Sequence, residues 1–218
     1  MPHKSSYLPT IAIGGSAQYV TAFLLGMILL FLPKDWVDSF NQGNEMVENA
    51  NGLLAFLAVV ILAPVFEEIL CRGLILNTLR KAMPKWAAIV LSSAIFGIIH
   101  GNPIQFIYAT ALGILLGWLY TKFDSIWIPM LCHLTFNLMS MLNSYLDPEN
   151  PIVTLLLGLI VFASIPIFAL SLVYICLKKF KKEAPMAEYA PITQREYNAD
   201  ALRKIEEEIE SNNNGDTL

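Results

Sequence analysis

Long apolar runs alternate with short polar stretches along most of the chain. Six runs approach the roughly 20 residues that cross a bilayer as a helix, and they cover 11–32, 52–80, 86–101, 104–121, 126–146 and 152–177. The third run is short, and the Asn102-Pro103 pair that follows it indicates a tight turn. The pattern predicts an all-α fold, a polytopic membrane helix bundle with about six transmembrane helices.

Composition supports this prediction, because 56% of the 218 residues are hydrophobic and only 15% are charged. Soluble domains average about one quarter charged residues. We expect one integral membrane domain over 1–182, with the sequence motifs in 52–146, and a polar, disordered tail over 183–218. A short helix is predicted at 196–210. Between the first two runs, the loop 33–51 is expected to form an amphipathic surface helix around Trp36, Val37 and Phe40.

The distribution of basic residues predicts the orientation, because cytoplasmic loops carry an excess of Lys and Arg. With the N-terminus inside, only Lys34 lies on the outer side. The nine other basic residues near the ends of the spans then lie on the cytoplasmic side: Lys4, Arg80, Lys81, Lys85, Lys122, Lys178, Lys179, Lys181 and Lys182. An even number of spans returns the C-terminus to the cytoplasm. The first run lacks a cleavage site and is expected to stay as a span.

Three ionisable residues, Glu67, Glu68 and Arg72, interrupt the second apolar run. A charge at the centre of a membrane segment costs at least a few kcal/mol, which makes it a candidate functional group. Glu68 and Arg72 are four residues apart, so they share a helix face and are expected to pair. Glu67 is rotated about 100° from that pair. It is therefore the candidate general base.

Two histidines and an amide are expected to reach the same region. At about 1.5 Å per residue, Glu67 and His100 lie about 20 Å from the cytoplasmic ends of their helices, and His133 about 10 Å. Phe96 lies one turn before His100 on the same face. His133 and Asn137 also share a face, so both could donate to one developing oxyanion. Each of these residues alone is equally explained by packing or by hydrogen bonds between helices, but the set favours a catalytic site.

Three motifs carry these residues: EExxxR at 67–72, FxxxH at 96–100 and HxxxN at 133–137. In this order, on consecutive membrane helices, they resemble the CPBP (Abi) family of type II CAAX prenyl endopeptidases and bacteriocin-processing enzymes. The resemblance covers about 52–146 and implies an intramembrane glutamate protease. It implies that Glu67 and His100 activate a water, and that His133 and Asn137 stabilise the oxyanion. Glu68, Arg72 and Phe96 would support the motif helices.

The resemblance also implies where the protein is located and what it acts on. The eukaryotic prenyl endopeptidases have eight spans, so this shorter chain looks more like the bacterial branch, which includes proteins of bacteriocin maturation or self-immunity. We expect a multi-pass protein of a bacterial cell membrane that meets lipid and cleaves a prenylated or membrane-associated peptide or protein. No nucleic acid and no cofactor are expected, and the oligomeric state stays open.

Three alternative interpretations of these residues remain open. Glu67, His100 and His133 would also suit a zinc site with two histidines and a carboxylate, although the usual HExxH helix is missing. Buried Glu and His residues also serve transporters and proton channels, but the halves of this chain show no internal symmetry. The third alternative is a membrane scaffold without catalytic activity, such as an immunity protein that sequesters a bacteriocin receptor.

Overall fold

The computed structural model describes residues 4–147, 149–178, 202–203 and 206–207. The first of two compact units, Met1–Lys181, contains a short 3-10 turn, Lys4–Ser6, and then seven helices. These are α1 (Tyr7–Leu29), α2 (Lys34–Glu48), α3 (Gly52–Ala82), α4 (Lys85–Ile98), α5 (Pro103–Phe123), α6 (Trp127–Ser144) and α7 (Pro151–Leu177). The described ranges contain no β-strand, which confirms the predicted all-α fold.

Four of the helices, α1, α3, α5 and α7, are long and apolar enough to cross a membrane. Helix α4 is a shorter apolar helix. Helix α6 has 18 residues and includes the polar residues His133 and Asn137. Together these six helices form the polytopic membrane bundle that the apolar runs predict. The expected amphipathic helix between the first two spans is also confirmed, as α2.

The bundle is held together by three groups of buried apolar side chains. Helix α4 lies along α5, α1 lies against α6 and α7, and α3 contacts both α4 and α6. The main core joins α1, α5, α6 and α7 and consists of Ile13, Ala17, Leu112, Leu116, Leu119, Ile128, Cys132, Phe136 and Ile175. A smaller cluster of Cys71, Phe96 and Ala109 joins α3, α4 and α5. This second cluster lies directly beside the glutamate motif.

Helix α3 is continuous but irregular. Its α-helical segment Ala63–Glu68 is flanked by two π-helical segments, Phe56–Leu62 and Ile69–Leu76. The π-helix is rare, usually limited to a single turn, and frequent at functional sites. The two glutamates therefore lie on a short α-helical segment between two stretches of wider helix. The wider turns change which side chains face the neighbouring helices before and after the glutamates.

The second compact unit comprises Lys182–Leu218. Four of its residues are described, at 202–203 and 206–207, and they are helical. The Arg203 Nε atom lies 3.5 Å from Glu207 Oε1, and both side chains are exposed. The rest of the predicted tail, including most of the predicted helix at 196–210, lies outside the described residues.

Gly14 of α1 provides a test of the bundle packing. A Cβ atom at this position would overlap the carbonyl oxygen of Cys132 and meet Thr135 Cβ at 3.0 Å. We expect Gly14→Ala to destabilise the protein by about 1–3 kcal/mol, since overpacking forces α1 away from α6. The measurement is the free energy of unfolding in mixed detergent micelles.

Gly26 is the matched control, because it lies in the same helix and a Cβ there meets no atom within 4 Å. Gly26→Ala should leave stability unchanged or raise it slightly, since alanine is the better helix former. Equal stability of the two alanine variants would show that α1 and α6 do not approach as closely as the structure indicates.

Candidate active site

The Glu68 carboxylate joins α3 to α6. Its Oε1 atom accepts a hydrogen bond from Arg72 Nη1 at 2.7 Å and lies 2.9 Å from His133 Nδ1. The side chains of these three residues are almost completely buried. The second oxygen of Glu68 has no hydrogen-bond partner among the described residues. A single oxygen atom therefore links the predicted Glu68–Arg72 pair to a histidine of another helix.

The Arg72 guanidinium contacts two further helices. Its Nη2 atom donates to the carbonyl oxygen of Gly113 in α5 at 2.9 Å. Its Cζ atom lies 4.9 Å from the centre of the Phe96 ring in α4, a distance at which the ring face attracts a cation. Arg72 is thus fixed by contacts with α3, α4 and α5. This arrangement holds the motif helix against the rest of the bundle.

Glu67 lies on the other side of the same imidazole. Its Oε2 atom is 3.7 Å from His133 Nε2, and 24% of its side chain is exposed. Because the Glu68 carboxylate accepts hydrogen bonds, His133 Nδ1 carries a hydrogen and donates it. At 3.7 Å, Nε2 and Oε2 are close but beyond hydrogen-bond distance. The imidazole therefore lies between the two carboxylates, bonded to Glu68 and beside Glu67.

His100 lies two residues beyond the end of α4 and keeps the predicted contact with Phe96. The two ring centres are 4.8 Å apart, in edge-to-face geometry. His100 Nδ1 is 2.7 Å from the Phe96 carbonyl oxygen. Since a carbonyl only accepts, Nδ1 is the donor and Nε2 is left as a proton acceptor. The Phe96 ring also contacts His133 at 5.6 Å, so it lies against both imidazoles.

Asn137 contacts the irregular part of α3. Its Nδ2 atom donates to the carbonyl oxygen of Val59 at 2.8 Å. In this π-helical segment the amide of Ala63 bonds the carbonyl of Ala58, five residues earlier. The next donor in that register would be residue 64, which is a proline and has no N–H. Asn137 therefore satisfies a carbonyl that Pro64 leaves without a partner, and its second amide hydrogen meets no acceptor in the described part of the chain.

The residues considered for zinc are not arranged as ligands. In the described part of the chain, no group of three His, Cys, Asp or Glu side chains is placed to hold a metal ion. His133 Nδ1 binds Glu68, and His100 Nδ1 binds the Phe96 carbonyl. The Nε2 atoms would have to converge with Glu67 on one point. The set Glu67, His100 and His133 does not fit a metal in this conformation.

The structure brings most of the predicted site residues into one connected cluster. Glu67, Glu68 and His133 are in direct contact, and Arg72 and Phe96 link them to His100. Asn137 lies one turn beyond His133 and binds α3. The bond between Glu68 and His133 was not predicted from the sequence. The contact of Asn137 with the Val59 carbonyl was not predicted either, although a proline signals that a carbonyl four or five residues earlier needs another donor.

Comparisons with known proteins show what the chain is similar to. Residues 49–139, which are less than half of the chain, match the family model described as Rce1-like, type II CAAX prenyl endopeptidase. This match agrees with the resemblance seen in the three motifs. The match contains all three motifs, from Glu67 in the first to Asn137 in the last, and therefore every residue of the cluster.

A curated relative extends the likeness. The Bacillus subtilis (strain 168) protein called "Putative membrane peptidase YdiL" is 29% identical over 133 residues, which are 55% of this chain and 54% of the relative. The chain thus spans about half the length of this relative. No solved structure matches the chain. Both matches are to proteins described as peptidases, and the relative is described as a membrane peptidase, in agreement with the apolar helices.

Arg72 provides a test of the buried cluster. We expect Arg72→Ala to lower the free energy of unfolding by about 3–5 kcal/mol, since it leaves the Glu68 carboxylate buried without its cation. Unfolding in mixed detergent micelles measures this loss. Arg80→Ala is the control, because Arg80 is exposed at the end of the same helix and its removal should change stability by less than about 0.5 kcal/mol. Similar losses for both variants would contradict the pairing.

Proposed function

We propose that this chain is an intramembrane endopeptidase that hydrolyses prenylated or membrane-associated peptides with a water molecule activated by Glu67. The observation that carries this proposal is the buried row of Glu67, His133, Glu68 and Arg72, in which Glu67 alone is partly exposed. A purely structural ion pair needs only Glu68 and Arg72. The additional carboxylate and imidazole form an acid–base pair at the accessible end of the row.

The proposed chemistry requires His133 in its doubly protonated form, in which Nδ1–H donates to Glu68 and Nε2–H remains as a second donor. The Glu67 carboxylate is then free to take a proton from a water molecule. The resulting hydroxide attacks the carbonyl carbon of the scissile peptide bond. His100 Nε2, an acceptor in the tautomer assigned above, assists by holding the same water. Glu67 then returns its proton to the leaving nitrogen as the carbon–nitrogen bond breaks.

The tetrahedral intermediate carries a negative oxygen that requires donors. His133 offers Nε2–H, which Glu68 supports through the bond at Nδ1. Asn137 offers the amide hydrogen that does not bind Val59. Two such donors in a water-poor site stabilise an oxyanion much more than they would in water, and loss of one typically lowers kcat about 100- to 1,000-fold. This assignment agrees with the roles that the family resemblance implies.

The setting of the enzyme is part of the proposal. The excess of basic residues at one set of helix ends supports cytoplasmic N- and C-termini, and the likeness to a Bacillus protein supports a bacterial cell membrane. Glu67 lies near the middle of α3, so the substrate bond must reach the interior of the bundle. Peptides that are held at the membrane by a lipid group or a hydrophobic segment suit this position.

Glu67→Gln tests the proposed mechanism most directly. The amide keeps the shape of the side chain but cannot take a proton from water, so kcat should fall at least about 1,000-fold, a loss like that of other essential catalytic groups. The assay uses purified protein in detergent and two fluorescence-quenched peptides, one prenylated and one with a hydrophobic segment. Cleavage is followed by fluorescence and mass spectrometry.

Glu45→Gln is the matched control, because Glu45 is an exposed carboxylate on α2 and should leave activity unchanged. Normal cleavage by Glu67→Gln would remove the proposed base. Zinc should be absent from the purified active enzyme, and chelation should not lower its rate. Stoichiometric zinc together with loss of activity on chelation would favour the zinc-dependent alternative instead.

A further inference from the structure

Tyr108 of α5 lies beside the catalytic cluster, yet none of the three motifs includes it. Its half-buried ring packs against the cluster of Cys71, Phe96 and Ala109. Its hydroxyl lies next to the Gln105 side chain and within electrostatic range of the Glu67 carboxylate. Tyr108 thus shares the neighbour Phe96 with His100 and His133, and this contact places it beside the catalytic cluster.

Gln105 and Tyr108 form a pair on one face of α5. They are three residues apart, the spacing that places two side chains side by side on a helix. Both are half-buried. A phenol and a primary amide each supply a donor and an acceptor without carrying a charge. Together they form a neutral polar patch near Glu67.

The outer helix α2 docks at the same turn of α5. The Phe40 and Tyr108 rings meet edge to face, with centres 6.4 Å apart. The Asn102 side chain caps the start of α5 by accepting from the amides of Ile104 and Gln105, and its Nδ2 atom donates to Ser39 Oγ at 3.1 Å. The ring of Tyr108 is thus contacted both by Phe40 of α2 and by the cluster of Cys71, Phe96 and Ala109.

A peptide that enters the bundle needs such groups. Its N–H and C=O groups leave water, and each one left without a partner costs several kcal/mol in an apolar medium. The backbone groups inside the surrounding helices already bond within their own helices. Side chains must therefore bind the backbone of the substrate. Near Glu67, Tyr108 and Gln105 are neutral groups that the proposed chemistry does not use.

We propose that Tyr108 and Gln105 form a binding site for the substrate backbone, where they hydrogen-bond a peptide group next to the scissile bond and position it over Glu67. This inference rests on the proposed function, because it identifies an extended peptide as the ligand of the same site. It explains why a polar pair interrupts the apolar face of α5 at this depth. Neutral groups also suit this role because they add no charge beside Glu67 and His133.

The test measures binding in a background that does not cleave. Fluorescence anisotropy in detergent micelles gives the Kd of a labelled prenylated peptide for Glu67→Gln and for Glu67→Gln/Tyr108→Phe. The phenylalanine keeps the ring contacts and removes only the hydroxyl. Loss of one neutral hydrogen bond should raise Kd about three- to ten-fold. In the active enzyme, Tyr108→Phe should raise KM by a similar factor and change kcat less than about two-fold.

Tyr19→Phe is the control for loss of a phenol, because the Tyr19 hydroxyl binds Asn143 Oδ1 at 3.2 Å on α6, where no proposed substrate group lies. It should leave Kd unchanged. Peptides with single amides replaced by esters then locate the contact, since an ester lacks the N–H and has a weaker carbonyl acceptor. For one ester position the effect of Tyr108→Phe should vanish.

Each outcome supports or overturns the backbone site or the proposed hydrolysis. An unchanged Kd, a peptide that does not bind, or an equal effect of Tyr108→Phe on every ester peptide would overturn the backbone site. Weaker binding by Tyr108→Phe together with a wild-type enzyme that cleaves no peptide would retain the site and overturn the proposed hydrolysis. If cleavage depends on Glu67 but not on Tyr108, the proposed hydrolysis would stand and the backbone site would be overturned.

Discussion

The Glu68 carboxylate lies in the interior of the bundle, and the arrangement of the surrounding helices follows from its charge. A buried charge is tolerated only where a cation and hydrogen bonds compensate for the lost water. Arg72 supplies the cation from the next turn, and His133 supplies a second donor from α6. Because Arg72 also binds Gly113 and the Phe96 ring, four helices meet around this one carboxylate. The candidate catalytic groups are attached to this framework.

The backbone of α3 supplies the second constraint. Its π-helical segments lie on either side of the two glutamates, so the register of the helix changes twice within the site. Pro64 removes one amide, and Asn137 donates to the Val59 carbonyl that lacks it. A residue that the chemistry would use as an oxyanion donor therefore also closes the contact between α3 and α6. In the proposed mechanism, structural and catalytic roles are combined in Asn137, as they are in His133.

The sequence predicted much of this arrangement because its signals are local. The apolar runs predicted six spans, and the structure has helices at each of them. The spacing of Glu68 and Arg72 predicted their pairing, and the spacing of Phe96 and His100 predicted their ring contact. In each of these pairs the partners are four residues apart, so the geometry of a single helix is sufficient to bring them together. The contact of Phe40 with Tyr108 has no comparable signal in the sequence.

The sequence by itself determined the membrane bundle, the presence of an unusual charge in α3 and the residue types of the site. The position of His133 between the two glutamates needed the tertiary structure. Helical spacing assigns Glu68 to Arg72, but only the packing of α6 on α3 places His133 between both carboxylates. The physical reason is that the orientation of one helix relative to another depends on side-chain packing over the whole interface. A pattern within one helix carries no information about that angle.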